Sequence, residues 1–113
     1  MKILVIEDEP QLLNIYEKML SFKGHELTTF SEPEKALASL EDKFDLIITD
    51  KKMPKMSGLE IVEKAQQTCP EIPIFLITGD STDTYEFSHE KSRIMKKPIV
   101  FDDLFAYIDG LDK

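Results

Sequence analysis

Several residue types are scarce in this chain, and each scarcity excludes something. A single cysteine, Cys69, rules out an internal disulfide and a metal site built from thiolates. No apolar run approaches the ~18–20 residues that a membrane-spanning helix needs. Met1 runs directly into Lys2–Ile6 (KILVI), without the basic start and small-residue cleavage site of a secretory leader. These features point to the cytoplasm. Basic residues are also few: 14 Lys and Arg stand against 22 Asp and Glu, a formal net charge of −8. An acidic surface argues against direct gripping of nucleic acid or anionic membrane. It suits a protein partner, or a site that gathers carboxylates around a cation.

What remains is a folded composition, 42% hydrophobic and 32% charged over 113 residues, with no low-complexity tract. It fits one domain, residues 1–113. Two kinds of apolar segment alternate. Lys2–Ile6, Leu46–Thr49 and Ile72–Ile77 are short, continuous and rich in β-branched residues, as strands covered on both faces are. His25–Phe30 is more polar and reads as an edge strand, and Arg93–Met95 is a short fifth candidate.

Helical spacing lies between them. Leu12, Ile15, Tyr16, Met19 and Leu20 form one stripe, stopped by Gly24. Ser31-Glu32-Pro33-Glu34 and Ser57-Gly58-Leu59-Glu60 have the form of capping boxes. Leu104, Phe105, Ile108 and Leu111 make the last stripe. Asp80–Ser92 is polar and threonine-bearing, and predicts a short or loose helix. Five β-α repeats imply a doubly wound parallel sheet with helices on both faces.

Ligands of such sheets bind beyond the carboxyl ends of the strands. Glu7 and Asp8 follow the first strand, Asp50 the third, Thr78 the fourth and Lys97 the fifth. Taken alone, an aspartate ending a strand is more often a cap or turn residue than a ligand. Met53-Pro54 and Lys97-Pro98 alone are only loop signals. Their joint occurrence in this order is the informative feature. Three carboxylates, a hydroxyl and an ammonium meet on one rim, and an all-oxygen set of this kind suits Mg²⁺.

At these residues the chain resembles the response-regulator receiver domains of two-component signalling. Glu7-Asp8, the block Asp45–Glu60 (DLIITDKKMPKMSGLE), Thr78 and Lys96-Lys97-Pro98 carry the resemblance. It implies a flavodoxin-like (βα)5 fold with strand order 2-1-3-4-5. It implies that Asp50 is the phosphoacceptor, served by phosphohistidine of a sensor histidine kinase or phosphotransfer protein. Asp8 would ligate Mg²⁺ directly, Glu7 through water, and Asp50 and the backbone carbonyl of Lys52 would complete the protein ligands. Thr78 and Lys97 would hold the phosphoryl oxygens.

On this reading the protein is not an enzyme beyond its own phosphotransfer and autodephosphorylation. It passes its state to an unknown output protein, as a monomer or weak dimer, without nucleic acid or membrane contacts. The alternative is a pseudo-receiver, a constitutive interaction module of the same fold, which the intact set Asp8, Asp50, Thr78 and Lys97 disfavours. The chain stops after the last helical stripe, so it is either a stand-alone regulator or a receiver cut from a longer one. Ile94 stands where the family usually has Tyr or Phe, and Lys52 and Asp80 flank the mouth with opposite charges. Tyr85 and Phe87 read equally as partner contacts or as core anchors.

Overall fold

Alternation along the strands decides which side of the sheet each residue serves. The computed structural model describes residues 1–53, 56–80, 82 and 84–111. Its elements are β1 (Lys2–Ile6), α1 (Pro10–Phe22), β2 (Glu26–Phe30), α2 (Pro33–Ala38), β3 (Leu46–Asp50), α3 (Gly58–Thr68), β4 (Ile74–Thr78), β5 (Arg93–Lys96) and α4 (Phe101–Leu111). All neighbouring strands are parallel, in the order β2-β1-β3-β4-β5. Ile3, Val5, Leu46, Ile48, Phe75 and Ile77 face α1 and α4, packing with Tyr16, Leu20, Leu104 and Ile108. Leu4, Ile6, Ile47, Ile74 and Leu76 face α2 and α3, packing with Ala36, Ile61, Val62 and Ala65. Burial on both faces is why β3 and β4 read as unbroken apolar runs.

The strands match expectation, with shifted ends. β3 extends through Asp50, β4 runs Ile74–Thr78 rather than Ile72–Ile77, and β5 extends to Lys96. Asp50 and Thr78 are thus the last residues of their strands, not loop residues after them. Gly24 does stop α1: its φ is 90°, and its N–H donates to the Ser21 carbonyl. Ser57 caps α3, its Oγ accepting the Leu59 N–H at 3.1 Å. The expected box at Ser31 does not form. Pro33 takes the first helical position, which makes Glu32 and not Ser31 the N-cap of α2, and Glu32 makes no side-chain cap bond.

The clearest departure lies between β4 and β5. Among the described residues of 80–92 there is no helix, so four helices, not five, accompany the strands. An extended strap takes that place. Tyr85 and Phe87, ring centroids 4.8 Å apart, pack with Ile94 onto the α3-side core, so they are core anchors. Hydrogen bonds to three elements fasten the strap. Ser88 N–H donates to Gln66 Oε1 of α3 at 2.7 Å, Ile74 N–H of β4 donates to Ser92 Oγ at 2.8 Å, and Tyr107 Oη of α4 donates to the Lys91 carbonyl at 2.8 Å. A sequence with few apolar residues cannot bury a helical stripe, whereas two aromatic anchors and side-chain hydrogen bonds suffice for a strap.

Ser92 and Ile74 are both buried, so removing the hydroxyl leaves an N–H without an acceptor. Ser92→Ala is expected to destabilise the fold by ~1–3 kcal/mol. Urea unfolding measures this, and an unchanged midpoint would mean that the bond contributes nothing.

Candidate functional site

The rim is assembled from strand ends. Glu7 continues the alternation of Ile3 and Val5, and Asp50 that of Leu46 and Ile48, so both side chains share the α1/α4 side. Asp8 follows, half-buried. One carboxylate oxygen from each of Glu7, Asp8 and Asp50 lies within 4.8 Å of the others. Glu7 and Asp50 are almost wholly buried, at 1% and 2% exposure, which separates them from ordinary surface acids.

Lys97 reaches this cluster from the opposite side. Its backbone N–H donates to the Thr78 carbonyl at 2.7 Å, tying the start of the β5–α4 loop to β4. Its Nζ lies 2.9 Å from Asp50 Oδ2. The Lys97–Pro98 peptide is cis. Burial alone would lower the Lys97 pKa. The hydrogen bond and charge of Asp50, with Glu7 and Glu9, more than offset it and hold the ammonium charged.

Thr78 is buried at the end of β4, and its Oγ1 accepts the Asp80 N–H at 3.1 Å. Lys52 sits exposed on the β3–α3 loop, its N–H directed to Asp50 Oδ1 at 3.3 Å. Met53 is buried in the α3-side core, and Pro54 lies outside the described residues. The structure therefore brings together Glu7, Asp8, Asp50 and Lys97, sets Thr78 on the neighbouring strand end, and places Lys52 beside them. Asp80 Oδ1 accepts the Thr82 N–H and hydroxyl, at 2.9 and 2.7 Å.

Gly58 is the other constraint. Its N–H donates to the Lys51 carbonyl at 2.7 Å, and a Cβ there would collide with the Asp50 carbonyl oxygen. Only glycine lets the start of α3 fold back against the end of β3.

Burial, and then the charge of Asp50, push the Glu7 carboxyl up to about 7 from its ordinary 4.5. Asp8 adds to the rise, while the Glu9 N–H and Lys97 oppose it. A carboxyl with a higher pKa folded than unfolded stabilises the fold most below the unfolded value, and that contribution disappears as pH rises through the folded value. Without divalent cation, stability is expected to fall between about pH 4.5 and pH 7, by up to ~3 kcal/mol. Urea midpoints across this range test it, and Glu7→Gln should remove most of the slope. A wild-type midpoint that stays level or rises would contradict the assignment.

Comparison with known proteins agrees with this geometry. The family model "Response regulator receiver domain" matches residues 3–109. Transcriptional regulatory protein FlgR of Helicobacter pylori is 36% identical over 83 residues, 73% of this chain and 21% of that protein. The alkaline phosphatase synthesis transcriptional regulatory protein PhoP of Bacillus subtilis is 35% identical over 79 residues, 69% of this chain and 33% of its own length. The chain thus spans a third or less of the length of these two relatives. Among solved structures, response regulator TrrA of Thermotoga maritima, in complex with Mg²⁺ and BeF, superposes with a TM-score of 0.84 at 29% identity, covering 97% of both chains. A CheY-like receiver domain protein of Methanospirillum hungatei gives 0.84 at 28% identity, over 98% of this chain and 93% of its own. The fold, the ordered strand-end residues and the family match agree: this chain belongs to the response-regulator receiver domains of two-component signalling.

Proposed function

We propose that Asp50 takes a phosphoryl group from phosphohistidine of a sensor histidine kinase or phosphotransfer protein, in a Mg²⁺-dependent reaction, and that the chain passes this state to an output protein. The observation that carries the reading is a buried acceptor carboxylate, bonded by Lys97 on one oxygen and crowded by Glu7 and Asp8. Two charges ~5 Å apart at an effective dielectric of ~20 repel by ~3 kcal/mol, a cost a fold retains where a cation relieves it. The donors fit such a cation. All are oxygens, and Glu7 Oε2 is buried without a protein partner. Glu7, Asp8, Asp50 and the Lys52 carbonyl would hold it. Once bound, it would neutralise charge on the transferring group.

The chain's own residues do the rest. An Asp50 carboxylate oxygen attacks phosphorus, the O–P bond forms as the P–N bond to the donor imidazole breaks, and the electron pair leaves with the imidazole. Lys97 is free to follow the charge from Asp50 Oδ2 to a phosphoryl oxygen. The Thr78 hydroxyl, which accepts from the Asp80 N–H, would turn toward the same group. Hydrolysis of the acyl phosphate returns Asp50. The chemistry is positioning and charge stabilisation, so the protein serves as a switch and not as an enzyme acting on an independent substrate.

Signal exit follows from the strap. Ile94 has no ring to rotate, whereas Thr78 contacts the strap's first residue through Asp80. Engagement of Thr78 by a phosphoryl group would bias the strap, and a partner would read Tyr85, Phe87 and α4.

Intact mass after treatment with acetyl phosphate and Mg²⁺ should show one added phosphoryl, absent in Asp50→Asn. An unmodified wild type, or an equally modified variant, would reject the acceptor. Hydrogen exchange gives the second check. Amides of residues 84–91 should exchange faster than those of β1, β3 and β4, and should slow with beryllofluoride and Mg²⁺. Protection that ignores the phosphoryl mimic would move the signal to another face.

A further inference from the structure

Thr49 carries a hydroxyl into an apolar part of the core. It precedes Asp50 on β3 and is fully buried. Alternation turns it to the side of the sheet opposite the Asp50 carboxylate. Its register partners on the neighbouring strands are Ile6 and Leu76, both in the α3-side core. A hydroxyl among such side chains costs free energy unless it is bonded, and valine would fill the same volume without that cost. Thr49 Oγ1 donates to the Asp50 carbonyl oxygen at 3.1 Å. That oxygen is also the atom that a Cβ at Gly58 would strike. A hydroxyl from β3 and the bare first residue of α3 thus converge on one backbone atom.

The peptide that begins at this carbonyl leads from the acceptor into the β3–α3 loop. It is held on both sides. Its carbonyl takes the Thr49 hydroxyl, and its N–H, that of Lys51, donates to the Ile77 carbonyl at 2.8 Å. One residue further, the Lys52 N–H is directed back to Asp50 Oδ1 at 3.3 Å, while Lys97 Nζ lies 2.9 Å from Oδ2. Each carboxylate oxygen has its own donor. The donor to Oδ1 is a backbone group, so its place depends on the orientation of the peptide before it.

We propose that Thr49 is a positioning residue for phosphoryl acceptance: its hydroxyl fixes the Asp50–Lys51 peptide from the far side of the sheet, and through it the Lys52 N–H against Asp50 Oδ1. The proposal rests on the reading of Asp50 as the phosphoacceptor. Thr49 lies across the sheet from the carboxylate and acts through the backbone alone.

Two substitutions separate the hydroxyl from the packing. Thr49→Val keeps the volume and removes the donor, whereas Thr49→Ser keeps the donor and removes a methyl group. The rate of phosphorylation by acetyl phosphate at saturating Mg²⁺ is followed by intact mass, at a temperature where thermal midpoints show both variants folded. Thr49→Val should react about tenfold more slowly than wild type and Thr49→Ser within about twofold of it, because small misplacements of reacting groups cost rate steeply. A threonine that serves packing alone predicts the reverse order: the serine variant, short of a buried methyl group, would be the slower, and the valine variant would react like wild type. That result overturns the proposal, as does an equal loss in both variants or a loss in neither. The failure of the underlying reading looks different: wild-type protein would then take up no phosphoryl group, and both claims fall together.

Discussion

The arrangement of the rim depends on one balance, the repulsion among Glu7, Asp8 and Asp50 against the attraction of Lys97. Strand pairing gives the carboxylates no freedom to separate. β1 and β3 are adjacent, and their alternation sends Glu7 and Asp50 to the same side. Lys97 is brought in by its own backbone bond to Thr78 and is the cation paired with Asp50 among the described residues. One ammonium cannot neutralise three carboxylates. Burial raises the Glu7 pKa first, and the unneutralised charge of Asp50 adds to it. A proton on Glu7 relieves part of that excess charge, and under the proposed function a divalent cation would compete with it for the same oxygens.

The opposite face of β4 and β5 is held together differently. The strap relies on a tilted aromatic pair and on bonds to Gln66, Ile74 and Tyr107, where a helix would rely on its own ladder. Its backbone carries few regular hydrogen bonds, so its order is borrowed from α3, β4 and α4. Its conformation is therefore sensitive to small shifts in those elements, above all near Thr78, where it begins.

Much of this was legible in the chain. Continuous apolar runs in β1, β3 and β4 announced strands buried on both sides, and the acids and lysine at their ends marked the rim. The strap was less legible. A polar, threonine-bearing stretch shows that a helix would be weak, but not that Tyr85 and Phe87 would find the α3-side core, because that contact is tertiary. The Ser31 box misled because serine and glutamate at the right spacing say nothing of the proline between them, which fixes where α2 begins. Asp80 stood out in sequence only as a charge opposite Lys52, whereas its Oδ1 bonds locally to Thr82.

The close approach at Gly58 has a mechanical consequence. The backbone of the acceptor residue and the first turn of α3 are in van der Waals contact, with no side chain between them to act as a cushion. The helix that starts at this contact also carries Gln66, whose Oε1 accepts the Ser88 N–H of the strap. The end of β3 and the strap are therefore joined through the length of one helix, as the end of β4 is joined to Asp80 through the Thr78 hydroxyl.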